Sequence, residues 1–176
     1  MDIRRIVTGP TPAGAAVVSD EQVTPITVGL MPAAEFHTLW GDDTGPSLPT
    51  DGQVPHVKGW FPPAGGFRFG LVTLGPESSG LPADFDLDVA LTEVSQKLPG
   101  MVEVLEPDNP GMHTTDTVDF VVILSGEVWL ELDGGRQTLV RSGDVVVQNG
   151  TRHAWRNKTD RPCVMAVALI GATRST

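Results

Sequence analysis

Residues 113–123 read HTTDTVDFVVI, a row that begins polar and turns apolar halfway along. As a strand, its alternation puts His113, Thr115, Thr117 and Asp119 on one face, continuing into Val121 and Ile123. The opposite face starts at Thr114 and Asp116 and turns apolar at Val118, Phe120 and Val122. Turned outward, the first row is a solvated surface; turned into a barrel, it lines a wet pocket. Residues 151–157, TRHAWRN, help to decide. Their alternation groups Thr151, His153, Trp155 and Asn157, and sends Arg152, Ala154 and Arg156 the other way. His153 thus shares its face with an aromatic ring, while the two arginines are expected at the surface rather than as substrate clamps.

Around these two runs, the chain from about residue 101 reads as short strands at even spacing. Residues 127–132 and 136–140 form a hairpin across Asp133-Gly134-Gly135. Gly143-Asp144 turns the chain again, Val145 to Val147 begin the next strand, and residues 163–170 close the series. This spacing implies an all-β antiparallel barrel or jelly roll. Residues 163–170 are apolar on both faces, so one face meets the core and the other needs cover from the N-terminal arm or a second subunit. A homodimer is expected. Cys163 sits in this apolar strand and reads as a small buried hydrophobe.

The first 100 residues read as an arm, an irregular segment and one packing helix on the same structural domain, with residues 101–176 as the barrel core. Residues 4–8 and 15–19 are short strands across a Gly/Pro turn, and residues 36–40 and Phe67–Leu74 are further strands. Between them, residues 45–66 are rich in proline and glycine, long enough for an ordered lid. Leu87, Ala90, Leu91, Val94 and Leu98 recur at helical spacing, predicting a helix over residues 85–98, with Asp84 or Asp86 as its cap and Pro99-Gly100 as its stop.

A length of 176 residues suits one domain, and 40% hydrophobic with 19% charged residues is ordinary for a globular protein. The single cysteine excludes an internal disulfide and a cysteine-based zinc cluster. The formal charge is −10. Residues 1–110 carry 15 acids and 5 bases, while residues 111–176 carry 7 of each. Such a surface repels phosphate backbones, and no glycine-rich phosphate loop is present, so nucleic acid is not an expected partner. No apolar run reaches membrane-span length and the first eight residues are charged rather than leader-like, so no membrane is expected and the cytoplasm is the expected compartment.

Taken together, these runs resemble the cupins, small double-stranded β-helix barrels. In that family's first motif, a His-x-His pair precedes a Glu and then a Gly; here His113-Thr114-Thr115 precedes Asp119 and then Gly126. The second motif opens with Gly and ends Gly-x-x-His-x-x-x-Asn; here it runs from Gly143-Asp144 to Gly150, His153 and Asn157. Thr115 stands in place of the second histidine, Asp119 in place of glutamate, and Gln148 at the usual proline. The resemblance spans about the last third of the chain. It implies a jelly-roll cupin barrel with a site inside it.

Three functional expectations follow. In the first, His113, Asp119 and His153 hold a divalent ion (Fe, Zn, Mn or Ni) that polarises a carbonyl or carboxylate of a small substrate, or binds O₂ if it is iron. Thr115 and Thr117 then orient substrate and Trp155 is a stacking wall, for lyase, decarboxylase, isomerase or dioxygenase chemistry. In the second there is no metal: His113 or His153 is a general base whose tautomer and raised pKa are set by Asp119, as for a dehydratase or epimerase. In the third the barrel binds a small ligand without turning it over. His37 and His56, in the arm, are expected to be surface groups.

Overall fold

A computed structural model describes residues 2–54 and 56–175. Met1, in the leader reading, and Pro55, in the irregular segment, lie outside the described residues. β1 (Ile3–Thr11) and β2 (Gly14–Val23) form an antiparallel hairpin by themselves, longer than the two short strands expected. β3 (Glu35–Asp42) and β4 (Phe67–Leu74) follow, then α1 (Leu87–Lys97). β5 (Thr117–Ser125), β6 (Glu127–Glu131), β7 (Gln137–Arg141), β8 (Val145–Asn149), β9 (Ala154–Arg156) and β10 (Cys163–Gly171) complete the chain. The larger sheet has the order β3-β4-β10-β5-β8 and the smaller the order β7-β6-β9, all antiparallel. The result is the jelly-roll arrangement of the cupin fold. β3 and β4 come from the part read as an arm, yet they finish the larger sheet.

Alternation in β5 runs as the sequence indicates. Thr117, Asp119, Val121 and Ile123 are buried, while Phe120, Val122 and Leu124 face outward and stay exposed. The inward residues meet Val128 and Val140 of the smaller sheet and Met165, Val167 and Leu169 of β10 in one core. Gly126 makes the corner between β5 and β6 at φ +77°, where an added Cβ would lie 2.6 Å from the Pro162 carbonyl oxygen.

α1 is shorter than expected and is capped by Asp86, whose carboxylate accepts from the Val89 amide at 3.1 Å. Ala90, Val94 and Leu98 are buried against the sheet, but Leu87 stays 53% exposed, so the apolar stripe does not reach the first turn. No helix among the described residues is long and apolar enough to cross a membrane. Cys163 is free and fully buried, and burial pushes its thiol up to about 11.

Candidate active site

The site is made where two non-strand residues meet. His113 and His153 exchange both main-chain hydrogen bonds, at 2.9 and 3.0 Å, which brings their rings to 4.2 Å between centroids. The strands therefore start later than the alternation suggested: β5 at Thr117 rather than at residue 113, and β9 at Ala154 rather than at residue 151. Each imidazole is held by the carbonyl two residues earlier. Nδ1–H of His113 donates to the Gly111 carbonyl at 3.0 Å, and Nδ1–H of His153 to the Thr151 carbonyl at 2.9 Å. Since a carbonyl only accepts, these bonds fix the Nδ1–H tautomer and leave each Nε2 as a lone pair.

The segment carrying His113 is anchored by the two arginines that flank His153. Arg152 donates to both oxygens of Glu106, at 2.6 and 2.5 Å, and to Asp133 at 2.9 Å. Arg156 donates to Glu131 at 2.6 Å, to the Pro110 carbonyl at 2.6 Å and to Asn109 at 3.2 Å. They point away from the cavity, as expected, but they clasp the 106–113 turn rather than standing free at the surface. Asn157, at the end of the second motif, is buried and ties its own turn to the Leu74 and Arg161 carbonyls, both at 2.8 Å.

Asp119 is 5% exposed, and its Oδ1 has no hydrogen-bond partner among the described residues. Burial raises its carboxyl to about 6, opposed by a hydrogen bond from the Thr117 side chain. The Thr117 and Thr115 hydroxyls are themselves 2.8 Å apart. Both threonines are buried, Thr117 alone bonds the carboxylate, and neither lines the cavity that holds the histidines. The histidines shift in the opposite sense. Burial lowers His113, with the Gly111 carbonyl and Glu106 opposing, and burial together with neighbouring His113 lowers His153 to about 4. Asp119 therefore neither sets the histidine tautomers nor raises their pKa: two backbone carbonyls do the first, and burial does the reverse of the second.

His113, His153, Asp119 and Trp155 line one cavity of about 230 Å³ between the sheets. Trp155 stands edge-on to His153, 6.0 Å between centroids at 88°. The remaining wall was not legible as such: Phe36, Trp60 and Phe61, from β3 and the Pro/Gly-rich segment, also line the cavity. The Trp60-Phe61 pair inside a polar, irregular stretch was the available signal. Gln148, cross-strand neighbour of Asp119, is also buried. His56 is exposed, as expected, whereas His37 is fully buried in β3, because β3 is an integral strand of the larger sheet; neither lines the cavity. The donors are of the right kind for a divalent ion, two neutral Nε2 atoms and a carboxylate oxygen. Among the described residues no group of three His, Cys, Asp or Glu side chains is already gathered closely enough to mark a metal site.

A family model for the cupin domain matches residues 101–169, from just after α1 to within β10. Oryzines biosynthesis cluster protein J of Aspergillus oryzae is 36% identical over 146 residues, covering 76% of this chain and 80% of that protein. The cupin-domain-containing oxidoreductase srdB of Neurospora crassa is 27% identical over 106 residues, covering 57% of this chain and 54% of that protein, so the chain spans about half of its length. Among solved structures, the cupin domain of Schizosaccharomyces pombe Cnp3 aligns with 97% of this chain and 87% of its own at 9% identity, with a TM-score of 0.47. The jelly-roll sheets, the two histidine motifs on facing strand ends, the matched family model and a relative covered over four-fifths of its length lead to one statement: the chain belongs to the cupin superfamily.

Proposed function

We propose that this cupin is an enzyme that moves a proton on a small organic substrate bearing a carbonyl group, as an isomerase, epimerase or dehydratase. The observation that carries the reading is the unpartnered Oδ1 of buried Asp119 in the same cavity as the two Nε2 lone pairs. A buried polar atom left unsatisfied costs about 1–3 kcal/mol, which a bound substrate recovers. The environments also invert the usual order of the groups. The carboxyl is held towards its neutral, proton-donating form, and the imidazoles towards their neutral, proton-accepting form. His113 is the better base of the pair, because Glu106 favours its cationic form.

In this mechanism the C–H bond beside the carbonyl breaks, its proton goes to Nε2 of His113, and its electron pair becomes the enol. The carbonyl oxygen takes its proton from Asp119. Return of the His113 proton to another carbon, with recovery of the enol proton by Asp119, completes an isomerisation; delivery of a water-derived proton to the opposite face, with the His113 proton released to solvent, completes an epimerisation. Loss of a β-hydroxyl as water, using the His113 proton, completes a dehydration instead. His153 Nε2 accepts a hydrogen bond from the substrate, and the aromatic walls exclude water.

The pH profile tests this. Activity needs protonated Asp119 and neutral imidazoles, so kcat/KM rises on the acid side as the two histidines lose their protons, His153 at about 4, and falls as pH passes about 6, where Asp119 ionises. His113→Gln loses about 10²–10⁴-fold. Asp119→Asn keeps a hydrogen-bond donor but cannot give up a proton, so activity drops sharply and the residual rate no longer falls near 6. A profile that instead rises through 6 overturns the assignment.

A second reading is supported by the three lone-pair atoms on one cavity and by the word oxidoreductase in several relatives' names: a divalent ion (Fe, Zn, Mn or Ni) held by His113, Asp119 and His153. Metal content of tag-free protein separates the two. About one equivalent, lost in His113→Ala, favours the ion and removes the proton-transfer reading. We further propose that the chain is a homodimer, since the outward face of the larger sheet is apolar and uncovered.

A further inference from the structure

We infer that the reactive cavity continues past Trp60 into a second chamber that receives a carboxylate carried on an apolar chain, so that the substrate is a carbonyl compound with an anionic tail. This rests on the proton-transfer reading for the reactive end alone. The chamber holds about 180 Å³ on the inner side of β4 and β10, under the end of α1 and residues 57–60. Trp60, Val167 and Leu169 form part of both walls, so the two spaces are neighbours across one indole.

The charges of the two spaces differ in kind. The reactive cavity contains one carboxyl and two histidines and no Lys or Arg. The second chamber is lined by Lys58, Arg68 and Lys97 and by no acid. Residues 1–110 contain only 5 bases against 15 acids, and three of those five line this chamber. Their roles separate on inspection. Arg68 is a strut: it donates to the Gly59, Asp42 and Phe67 carbonyls and pairs with Asp43, which leaves little for a ligand. Lys97 bonds the Thr27 carbonyl at 2.9 Å and Glu93 at 2.7 Å, leaving one N–H. The Lys58 ammonium makes no hydrogen bond or ion pair with the described residues; only its main-chain N–H is engaged, to Asp43. Lys58 thus meets Asp43 through space without a direct bond from its ammonium, and Asp43 is itself paired with Arg68, which leaves the Lys58 N–H groups open at the edge of an apolar chamber, in a chain whose excess charge is negative.

This arrangement orients a substrate. A carboxylate at the Lys58 end is attracted, whereas the same group at the reactive end would face the buried carboxyl of Asp119 and lose its hydration. The carbonyl is thereby directed to His113 and Asp119.

Octanoate and 1-octanol, which share a chain and differ in the head group, are suitable probes for calorimetry on the intact protein. Octanoate is expected to bind more tightly than octanol near pH 7.5, and Lys58→Glu to weaken octanoate about tenfold while leaving octanol unchanged. Lys58 is exposed, so the variant should fold; a neutral Lys58→Gln is expected to give an intermediate loss. Equal binding of the two probes, octanoate binding indifferent to Lys58→Glu, or binding of neither probe overturns the inference. Octanoate does not react, so such a failure leaves the proton-transfer reading standing, and a failed pH profile leaves the octanoate result standing.

Discussion

Asp119 is held against its own preference, and its stability cost should be measurable. Its folded pKa of about 6 lies above the ordinary 3.8, so between those values the folded state keeps a proton that the unfolded chain has released. Stability from this group therefore falls as pH rises through that window. His153 works the other way: its folded pKa of about 4 lies below 6.5, so its contribution rises with pH over nearly the same range. These two nearly offset, so the net trend of the wild-type protein is set by His113 and the arginine- and lysine-paired carboxylates, whose lowered pKa values make stability rise with pH. Asp119→Asn removes the first effect only. It is expected to raise stability by about 3 kcal/mol near pH 7.5 and by little near pH 4, read from thermal unfolding at both values. A variant no more stable near pH 7.5 would show that Oδ1 is satisfied in solution.

The turn bearing His113 and the short strand β9 depend on each other through Arg152 and Arg156. Arg156→Ala removes three bonds and leaves Glu131, whose side chain is 16% exposed, without its partner. A loss of about 2 kcal/mol is expected, with faster amide exchange at Met112 and His113 and a lower kcat, because the ring of His113 is no longer registered on His153. These bonds also show what the sequence could and could not convey. Alternation correctly set Asp119, Val121 and Ile123 inward and Arg152 and Arg156 outward, since period two is a local property of a strand. It placed Thr115 and Thr117 inward too, and both are buried, but it could not say that they stop short of the cavity. That depends on where the chain leaves β5, which the His113–His153 bridge determines. Nor could it supply Phe36 and Trp60, because β4 meets β10 only through a pairing that spans most of the chain. The helix stripe was legible from Ala90 onward and misleading at Leu87, where no sheet lies beneath.

The larger sheet presents an outward face without a charged side chain along β5, β8 and β10. Phe69, Ala168, Phe120 and Val147 form one row across four strands, and Ala166, Val122 and Val145 the next. Phe69, Phe120 and Val147 stay 43%, 47% and 50% exposed, although β1 comes beside Phe69. A continuous apolar face of this kind is unusual on a monomer. A second copy related by a two-fold axis would bury both faces at once. Light scattering is expected to give twice the chain mass, and Phe120→Glu to return the monomer with the barrel intact; a wild-type monomer would defeat the proposal.

The order of the larger sheet also bears on how the protein is made. β10 lies at the centre, between β4 on one side and β5 on the other, yet it follows both in the chain. During synthesis, β3–β4 and β5–β8 are translated as two separate half-sheets, each with an open edge that awaits the same missing strand. Until β10 emerges from the ribosome, those edges and the apolar rows beside them are free to pair with other nascent chains. The yield of folded protein in cells should therefore depend on chaperone capacity during translation more than on the stability of the finished barrel.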